Sequence, residues 1–308
     1  MNNPENQYQE VNISDIVFVI LKYKYIILSS TLFFSSLLLM VIFNLPNKFE
    51  SKSKFYPSSD PGSTSSSMKL LSGISSLGGL SNFSLPTNEV AEYDVLVERI
   101  KSRDFLDILL KEKSVKENIF AAKDFSFEKE AIIYDDRLYD SKTGKYLNKR
   151  GDVILTPTID DIYKKYLKMV NISRNKESGI MILSFTHFSP FFAAEMVDLI
   201  LFKLDQVSRT ITINEINKSL TYYKSELLTV SESELRNSLN ALIKTKLEQL
   251  MLANVQEEYL INIISKSFIP KYKSEPKKSQ LAIMGTVIIF LLSMLSVLLH
   301  DFFARRAD

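Results

Sequence analysis

Two long apolar runs constrain this chain more than any other feature of its sequence. Residues 26–43 form 18 positions without a charge, and residues 281–299 form 19. Because a helix rises about 1.5 Å per residue, each run is long enough for the roughly 30 Å hydrocarbon core of a bilayer. The sequence therefore predicts two transmembrane helices, at residues 25–45 and 281–299.

Both runs have other interpretations. Two buried helices of a globular core would show similar composition, and the first run could be a cleavable signal peptide. The first run is longer than the usual apolar region of a signal peptide, about 7–15 residues. It ends in "NLPNKFES", without a small-residue cleavage pattern. We interpret it as a retained anchor.

Two spans place both termini on one side of a membrane and the body of the chain, residues 46–280, on the other. Residues 1–24 and 300–308 then form short tails. The first tail ends in "VNISDIVFVILKYK", which predicts either an amphipathic surface helix or a helical extension of the span. Lysines and arginines flank both ends of each run, so charge alone does not indicate which side of the membrane the termini occupy.

Composition excludes several kinds of chemistry. The chain has no Cys and two His, and its formal net charge is +2, so thiol chemistry, a His or Cys metal site and nucleic-acid binding are not expected. Asp135 and Asp136 lie beside "DSKTG" and are interpreted as turn residues. The Gly144–Lys145 pair lacks the remainder of a phosphate-binding loop. We expect no enzyme, no cofactor and no metal.

The body of the chain carries signals of both helices and strands. "FESKSKF" alternates as a strand does, residues 88–115 have a helical apolar face, and "NKESG" is turn chemistry between two strands. The segment "EEYLINIISKSFIP" has strand composition, and the Ser-rich residues 58–84 predict a mobile loop. The fold class expected is therefore an α+β domain with a very long helix, flanked by the two spans.

The very long helix is predicted from residues 191–269, which contain neither Gly nor Pro. Ser189 and Pro190 are suited to the N-cap and first helical positions. A helix over about 190–255 would be roughly 100 Å long, and its apolar stripe would need neighbouring copies of the chain to cover it. A helical hairpin that breaks near Thr210 or at residues 231–233 is the alternative. The residues expected to carry oligomerisation are Leu220, Tyr223, Leu227, Leu235 and Leu239.

The C-terminal part of this region resembles a known family. "ELRNSLNALIKTKLEQLMLANVQEEYLINIISKSFIPKYKSEPKKS" is similar to the C-terminal signature of the Wzz-type polysaccharide chain-length determinants, the polysaccharide co-polymerases of the Gram-negative inner membrane. Other stretches resemble the same family in the same order, and the resemblance covers nearly all 308 residues. These stretches are "VNISDIVFVILKYKYIIL", "LPNKFESKSKFYPS", "LLSGISSLGGL", "RIKSRDFLDILLKE" and "NISRNKESGIMILSFTHFSP".

The resemblance implies a periplasmic main domain, cytoplasmic tails and a ring of protomers. It implies a non-catalytic regulator of polysaccharide chain length, acting on lipid-linked O-antigen or a related glycan with a Wzy-type polymerase. Pro270, Pro276 and Gly285 are the residues expected to couple the domain to the membrane. Nine residues follow the second apolar run, so an autokinase domain is not expected in this chain.

Two other functions are compatible with the sequence. One is an adaptor for capsule or exopolysaccharide export that links the inner membrane to an outer-membrane channel. The other is a membrane sensor, for which residues 301–308 are too short to form an output module.

Overall fold

The structure is a computed structural model that describes residues 13–57, 89–148, 150, 152–154, 156–256 and 258–307. The chain divides into two compact units. Unit 1 is Met1–Asn47 together with Ser274–Asp308, and unit 2 is Lys48–Lys273. The predicted Ser-rich loop at residues 58–84 and the first 12 residues of the N-terminal tail lie outside the described residues.

The described elements alternate helices and strands along the chain. The helices are α1 Ile13–Lys22, α2 Lys24–Phe43, α3 Glu89–Lys101, α4 Arg103–Leu109, α5 Val115–Ala121, α6 Ile159–Met169, α7 Pro190–Thr229, α8 Ser233–Val255 and α9 Lys278–Ala307. The strands are β1 Phe49–Pro57, β2 Ala122–Ser126, β3 Ala131–Tyr134, β4 Tyr139–Asp140, β5 Lys145–Leu147, β6 Val153–Ile154, β7 Val170–Arg174, β8 Met181–His187 and β9 Ile261–Ser265. The chain is thus a mixed helix-and-sheet protein with a long helix and an apolar helix near each end.

Helices α2 and α9 of unit 1 correspond to the two apolar runs. Both are long and apolar enough to cross a membrane, and almost none of their side chains is buried within the chain. A buried pair of core helices would have been covered by the rest of the protein. The two helices are therefore compatible with a two-pass membrane protein.

Unit 2 is built on a four-stranded antiparallel sheet in the order β7-β8-β1-β9. Strand β1 is central and pairs Phe49 with His187 at one end and Phe55 with Met181 at the other. Its alternation places Phe49, Ser51, Ser53 and Phe55 on one face, where all four are buried. Two small sheets, β2-β3 and β4-β5-β6, follow the helices α3 to α5 in the sequence.

The core of unit 2 lies between the sheet and the first part of α7. Met196, Ile200 and Leu204 recur at four-residue intervals on α7 and are fully buried, as an amphipathic helix packed on a sheet requires. The buried Tyr166 of α6 donates its hydroxyl hydrogen to the carbonyl oxygen of Ile100, 2.9 Å away. That bond satisfies the one polar group that this large side chain brings into the core.

The prediction of one helix over about 190–255 is wrong. Helix α7 ends at Thr229, residues 230–232 are extended, and α8 begins at Ser233. The alternative prediction, a helical hairpin that breaks at residues 231–233, is confirmed. Thr229 and Val230 are β-branched and favour helix weakly, and Glu234 lies in the first turn of the new helix, where the helix dipole favours an acid.

Most other local predictions are confirmed. Ser189 is the N-cap of α7, accepting from the amide of Phe192 at 3.2 Å, with Pro190 as the first helical residue. The "NKESG" hairpin joins β7 to β8, and β1 and β9 lie in the stretches with strand composition. The helix predicted at residues 88–115 is instead two helices, because Ser102 takes an extended conformation and caps α4 through Phe105.

His187, at the end of β8, is buried and bonded to backbone on both ring nitrogens. Its Nδ1 accepts from the amide of Ser189 at 3.1 Å, and its Nε2 lies 3.0 Å from the carbonyl oxygen of Asn118. These two contacts together require the neutral tautomer with the proton on Nε2. Burial lowers the pKa of His187 from its ordinary 6.5 to about 4.

We predict that His187 makes unit 2 sensitive to acid. Since the pKa is lower in the folded state, the stabilisation is fully present above about pH 6.5 and is lost as the pH falls toward 4. The effect should amount to no more than about 3 kcal/mol of unfolding free energy. The measurement is denaturant unfolding of the full chain and of His187→Gln between about pH 7 and pH 4. An equal pH dependence in both proteins would contradict the prediction.

Candidate functional site

The described residues contain no group of three or more metal-ligating side chains. His187 cannot serve as a general base in this conformation, because the backbone occupies both of its nitrogens. Two surfaces of the described residues are candidates for a function. They are the helical hairpin of α7 and α8, and the pair of apolar helices α2 and α9.

A tyrosine cluster joins the small sheets to α5. Tyr134 donates to Oδ1 of Asn118 at 2.6 Å, and Tyr146 donates to Oε2 of Glu117 at 3.3 Å. The ring of Tyr139 lies between them, with centroids 5.1 Å from each. Burial raises the pKa of Tyr134 to about 12, so its phenol remains a neutral hydrogen-bond donor. The cluster fastens the sheets to the helix.

Asp135 and Asp136 lie in the turn between β3 and β4, as predicted. Oδ1 of Asp135 accepts from the backbone amide and Nε of Arg137, and Oδ2 accepts from its Nη2. The hydrogen bond from the Arg137 side chain lowers the pKa of Asp135 to about 2. Asp140 accepts from Lys142 and Thr143 in the next turn. Their partners are local, which is typical of turns.

The helical hairpin is closed by Asp205 of α7. Its Oδ1 accepts from the backbone amides of Tyr259 and Leu260, at 2.8 and 2.7 Å, just after α8. Its Oδ2 accepts from Nη2 of Arg209 at 3.0 Å. The chain that leaves α8 is thereby held against the middle of α7. The chain leaves Asp205 along α7, reverses between Thr229 and Ser233, and returns to Asp205 after α8. The outer part of α7 and the whole of α8, which are nearly equal in length, therefore run antiparallel side by side.

The five residues predicted for oligomerisation differ in exposure within the hairpin. Leu220 of α7 and Leu239 of α8 are buried within the single chain, and Tyr223 and Leu227 are half-buried. Only Leu235 is exposed. The argument that neighbouring copies must cover the stripe of α7 is therefore wrong, since α8 covers it. Oligomerisation itself stays a prediction.

A different apolar stripe remains uncovered on α8. Leu247, Met251 and Val255 are spaced by four residues, lie on one helix face, and are 41%, 67% and 79% exposed. Exposed apolar side chains are ordinary singly, but a contiguous row is unusual on a monomeric surface. We call these three residues the α8 stripe.

Helices α2 and α9 pack closely at Gly285. A Cβ atom built on Gly285 would lie 2.4 Å from Cδ2 of Leu38, far inside van der Waals contact. The glycine thus lets the side chain of Leu38 approach the backbone of α9, as small residues do in membrane helix pairs. The structure places Gly285, which was predicted to couple the domain to the membrane, in the contact between the two helices.

Polar contacts define the direction of the helix pair. Oγ of Ser30 lies 3.3 Å from Oγ of Ser293 near the middle. At one end Lys22 pairs with the buried Asp301 at 3.7 Å, and at the other Lys278 donates to the carbonyl oxygen of Phe43 at 3.0 Å. The start of α2 therefore lies beside the end of α9, and the pair is antiparallel.

The two predicted prolines lie in different units. Pro270 is buried and belongs to unit 2, whereas Pro276 is partly buried and belongs to unit 1, two residues before α9. The peptide bond between Glu275 and Pro276 is cis. A role of these prolines in membrane coupling stays a prediction.

Comparison with known proteins gives limited similarity. No family model matches the chain, and no curated protein matches it. Among solved structures, a full-length bacterial polysaccharide co-polymerase is similar, with 11% sequence identity and a TM-score of 0.40, over 96% of this chain and 99% of the other.

We predict that Asp205→Ala loosens the return of the hairpin. Two backbone amides lose their acceptor, at a cost of about 1–3 kcal/mol for each buried donor left unsatisfied. Hydrogen exchange at Tyr259 and Leu260 should accelerate, and the thermal transition of unit 2 should fall. Asp198→Ala is the control, because Asp198 is an exposed acid on the same helix. Equal exchange in both variants would show that Asp205 does not hold this segment.

We predict that Gly285→Val separates α2 from α9, whereas Gly285→Ala is tolerated because the flexible end of Leu38 can move. The chain has no cysteine, so Ser30→Cys with Ser293→Cys creates one disulfide reporter across the pair. Its cross-linking yield should fall in Gly285→Val. Adding Leu38→Ala should restore it, since this substitution vacates the contact. Unchanged yield in Gly285→Val would mean that the helices do not pack at this point.

Proposed function

We propose that the protein regulates the chain length of a surface polysaccharide, such as O-antigen, as a homo-oligomeric co-polymerase of the bacterial inner membrane. The observation that carries the proposal is the antiparallel pair α2 and α9, which brackets a single α+β unit in the sequence. The resemblance of the sequence to the Wzz-type determinants supports the same function. A Wzy-type polymerase and its lipid-linked glycan are the proposed partners.

In this proposal unit 2 lies in the periplasm and both termini lie in the cytoplasm. The antiparallel helix pair requires the termini to share one side if both helices cross a bilayer. The charges of the chain do not select the side, and the sequence resemblance supports the periplasm for unit 2. The protein acts without chemistry of its own, by assembling around or beside the polymerase and setting when elongation ends.

The α8 stripe is the proposed assembly surface. Leu235, the one exposed residue of the five predicted from sequence, lies on the same helix but about 160° around it from Met251, so it is not part of this stripe. Burying a large apolar side chain contributes about 1.5–3 kcal/mol, so a stripe of three, repeated at each contact of an oligomer, would favour association. Leu220 and Leu239 then contribute indirectly, by holding α7 and α8 together.

The test is a strain without this protein, complemented with the wild type or with Met251→Glu. We expect the deletion to change the length distribution of the surface glycan on gels and the wild type to restore it. Met251→Glu should restore it poorly and should lower the mass of the detergent-solubilised complex, since a buried unpaired charge opposes association.

Ser238→Glu is the matched control. It adds the same charge on an exposed position of α8, about 140° around the helix from Met251. An unchanged length distribution in the deletion strain would overturn the regulatory function, and loss of export without altered length would favour the export adaptor. Normal mass and activity in Met251→Glu would remove the α8 stripe from the assembly surface.

A further inference from the structure

Unit 2 exposes a second set of apolar side chains, separate from the α8 stripe. They are large, mostly aromatic, and between 44% and 86% exposed. We call them the aromatic rim: Phe127, Phe191, Phe268, Ile269 and Tyr272. None of these five residues lies in the part of α7 after Asp205 or in α8, and none belongs to the proposed assembly surface.

The first half of the rim is anchored to the start of β1. Phe127 occupies the tip of the β2–β3 hairpin, and its ring meets that of the buried Phe49 edge-on, with centroids 5.6 Å apart. The ring of Phe125 lies 5.1 Å from Phe127 and 5.9 Å from Phe191. Two exposed rings thus rest on two buried ones, which fixes their positions at this edge of the unit.

The second half of the rim is anchored to the same strand end. Ser51 of β1 donates its buried hydroxyl to the carbonyl oxygen of Phe268 at 2.7 Å. Phe268 and Ile269 are 55% and 51% exposed, and Tyr272, just beyond them, is 86% exposed. Because Ser51 follows Phe49 by two residues, both halves of the rim adjoin the first residues of β1.

The chain connections tie this edge to the apolar helices. Phe49 follows the last residue of α2, Phe43, by six positions, and Tyr272 precedes the first residue of α9, Lys278, by six. Six residues reach at most about 20 Å when fully extended. If α2 and α9 span a bilayer, covalent linkage alone keeps the residues at both exits of unit 2 within that distance of the membrane.

We propose that the aromatic rim contacts the headgroup region of the same bilayer. This proposal rests on the proposed membrane embedding of α2 and α9. Tyr272 suits the membrane–water interface, where its ring can be buried while its hydroxyl stays hydrated. The exposed side chains of Phe127, Phe191, Phe268 and Ile269 suit burial at the boundary between headgroups and acyl chains, as on interfacial membrane segments.

The charges around the rim fit this occupant. Lys266, Lys271 and Lys273 are exposed beside Phe268 and Tyr272, where they can interact with anionic lipid. Near Phe127 the exposed Glu128 and Glu130 offset Lys129, so at that tip the ring rather than charge makes the contact. The rim therefore offers the bilayer an apolar ring at Phe127 and basic side chains beside Phe268 and Tyr272.

The absence of tryptophan from the sequence makes a direct test possible. Phe127→Trp and Phe268→Trp each give the full chain a single tryptophan at an exposed site. The proteins are reconstituted into vesicles of phosphatidylcholine and phosphatidylglycerol, with and without bromine near the headgroup end of the acyl chains. We expect the emission of both variants to shift to shorter wavelength and to be quenched by the brominated lipid.

Two further variants serve as controls. Tyr222→Trp matches Phe127 in exposure, at 62%, but lies 32 residues, about 48 Å, along α7 from Pro190, and should not be quenched. Phe33→Trp, exposed on α2, should be quenched by bromine deep in the acyl chains. It reports the embedding of the apolar helix directly.

The outcomes separate this proposal from the one on which it rests. Quenching of Phe33→Trp without quenching of Phe127→Trp or Phe268→Trp would overturn the rim contact alone. A wavelength shift at the rim without lipid quenching would also overturn it, and would assign the rim to a protein contact. No quenching of Phe33→Trp would contradict the membrane embedding and with it the proposed function.

Discussion

The carboxylate of Asp205 fastens the returning end of the helical hairpin to the middle of α7. It accepts hydrogen bonds from the backbone amides of Tyr259 and Leu260, which follow α8 and directly precede β9. Strand β9, which follows directly, pairs with β1 as the fourth strand of the sheet. Two hydrogen bonds to a buried charge are among the stronger single interactions a protein makes. Here they couple a helical hairpin to a sheet edge.

Closure of the hairpin reduces the apolar surface that other copies of the chain would need to cover. A single helix of about 65 residues would leave a continuous apolar stripe uncovered, and other copies would be needed for stability. With α8 in place, Ile216, Leu220 and Leu239 are buried within one chain, so these side chains need no second copy to cover them. The smaller α8 stripe is then free to serve association. In the proposed oligomer, protomer stability and assembly would then depend on different residues.

The features predicted from sequence were those with local causes. The strand alternation from Phe49 to Phe55, the Ser189 cap and the apolar runs depend on neighbours a few residues away. Thr210 was the predicted weak point, yet the helix continues there, with its hydroxyl bonded to the carbonyl oxygen of Gln206 and core packing just before it. The real break is at residues 230–232, and the return of the chain to α7 after α8 rests on contacts of Asp205 with residues 54 and 55 positions away. The Leu38–Gly285 contact is likewise long-range, and no local pattern indicates it.

Uncovered apolar surface connects the candidate functional features. Water penalises each exposed apolar area by about 25 cal/mol per Å², so a large contiguous exposed set indicates a surface that something else covers. The side chains of α2 and α9 would be covered by lipid tails, the aromatic rim by the headgroup region and the α8 stripe by another protomer. Lipid tails match the uncharged aliphatic side chains of α2 and α9. The headgroup region matches the aromatic residues and lysines of the rim, and a second protomer matches the narrow row of apolar residues on α8. At Gly285 the apolar helices contact each other rather than lipid, as they also do at Ser30 and Ser293.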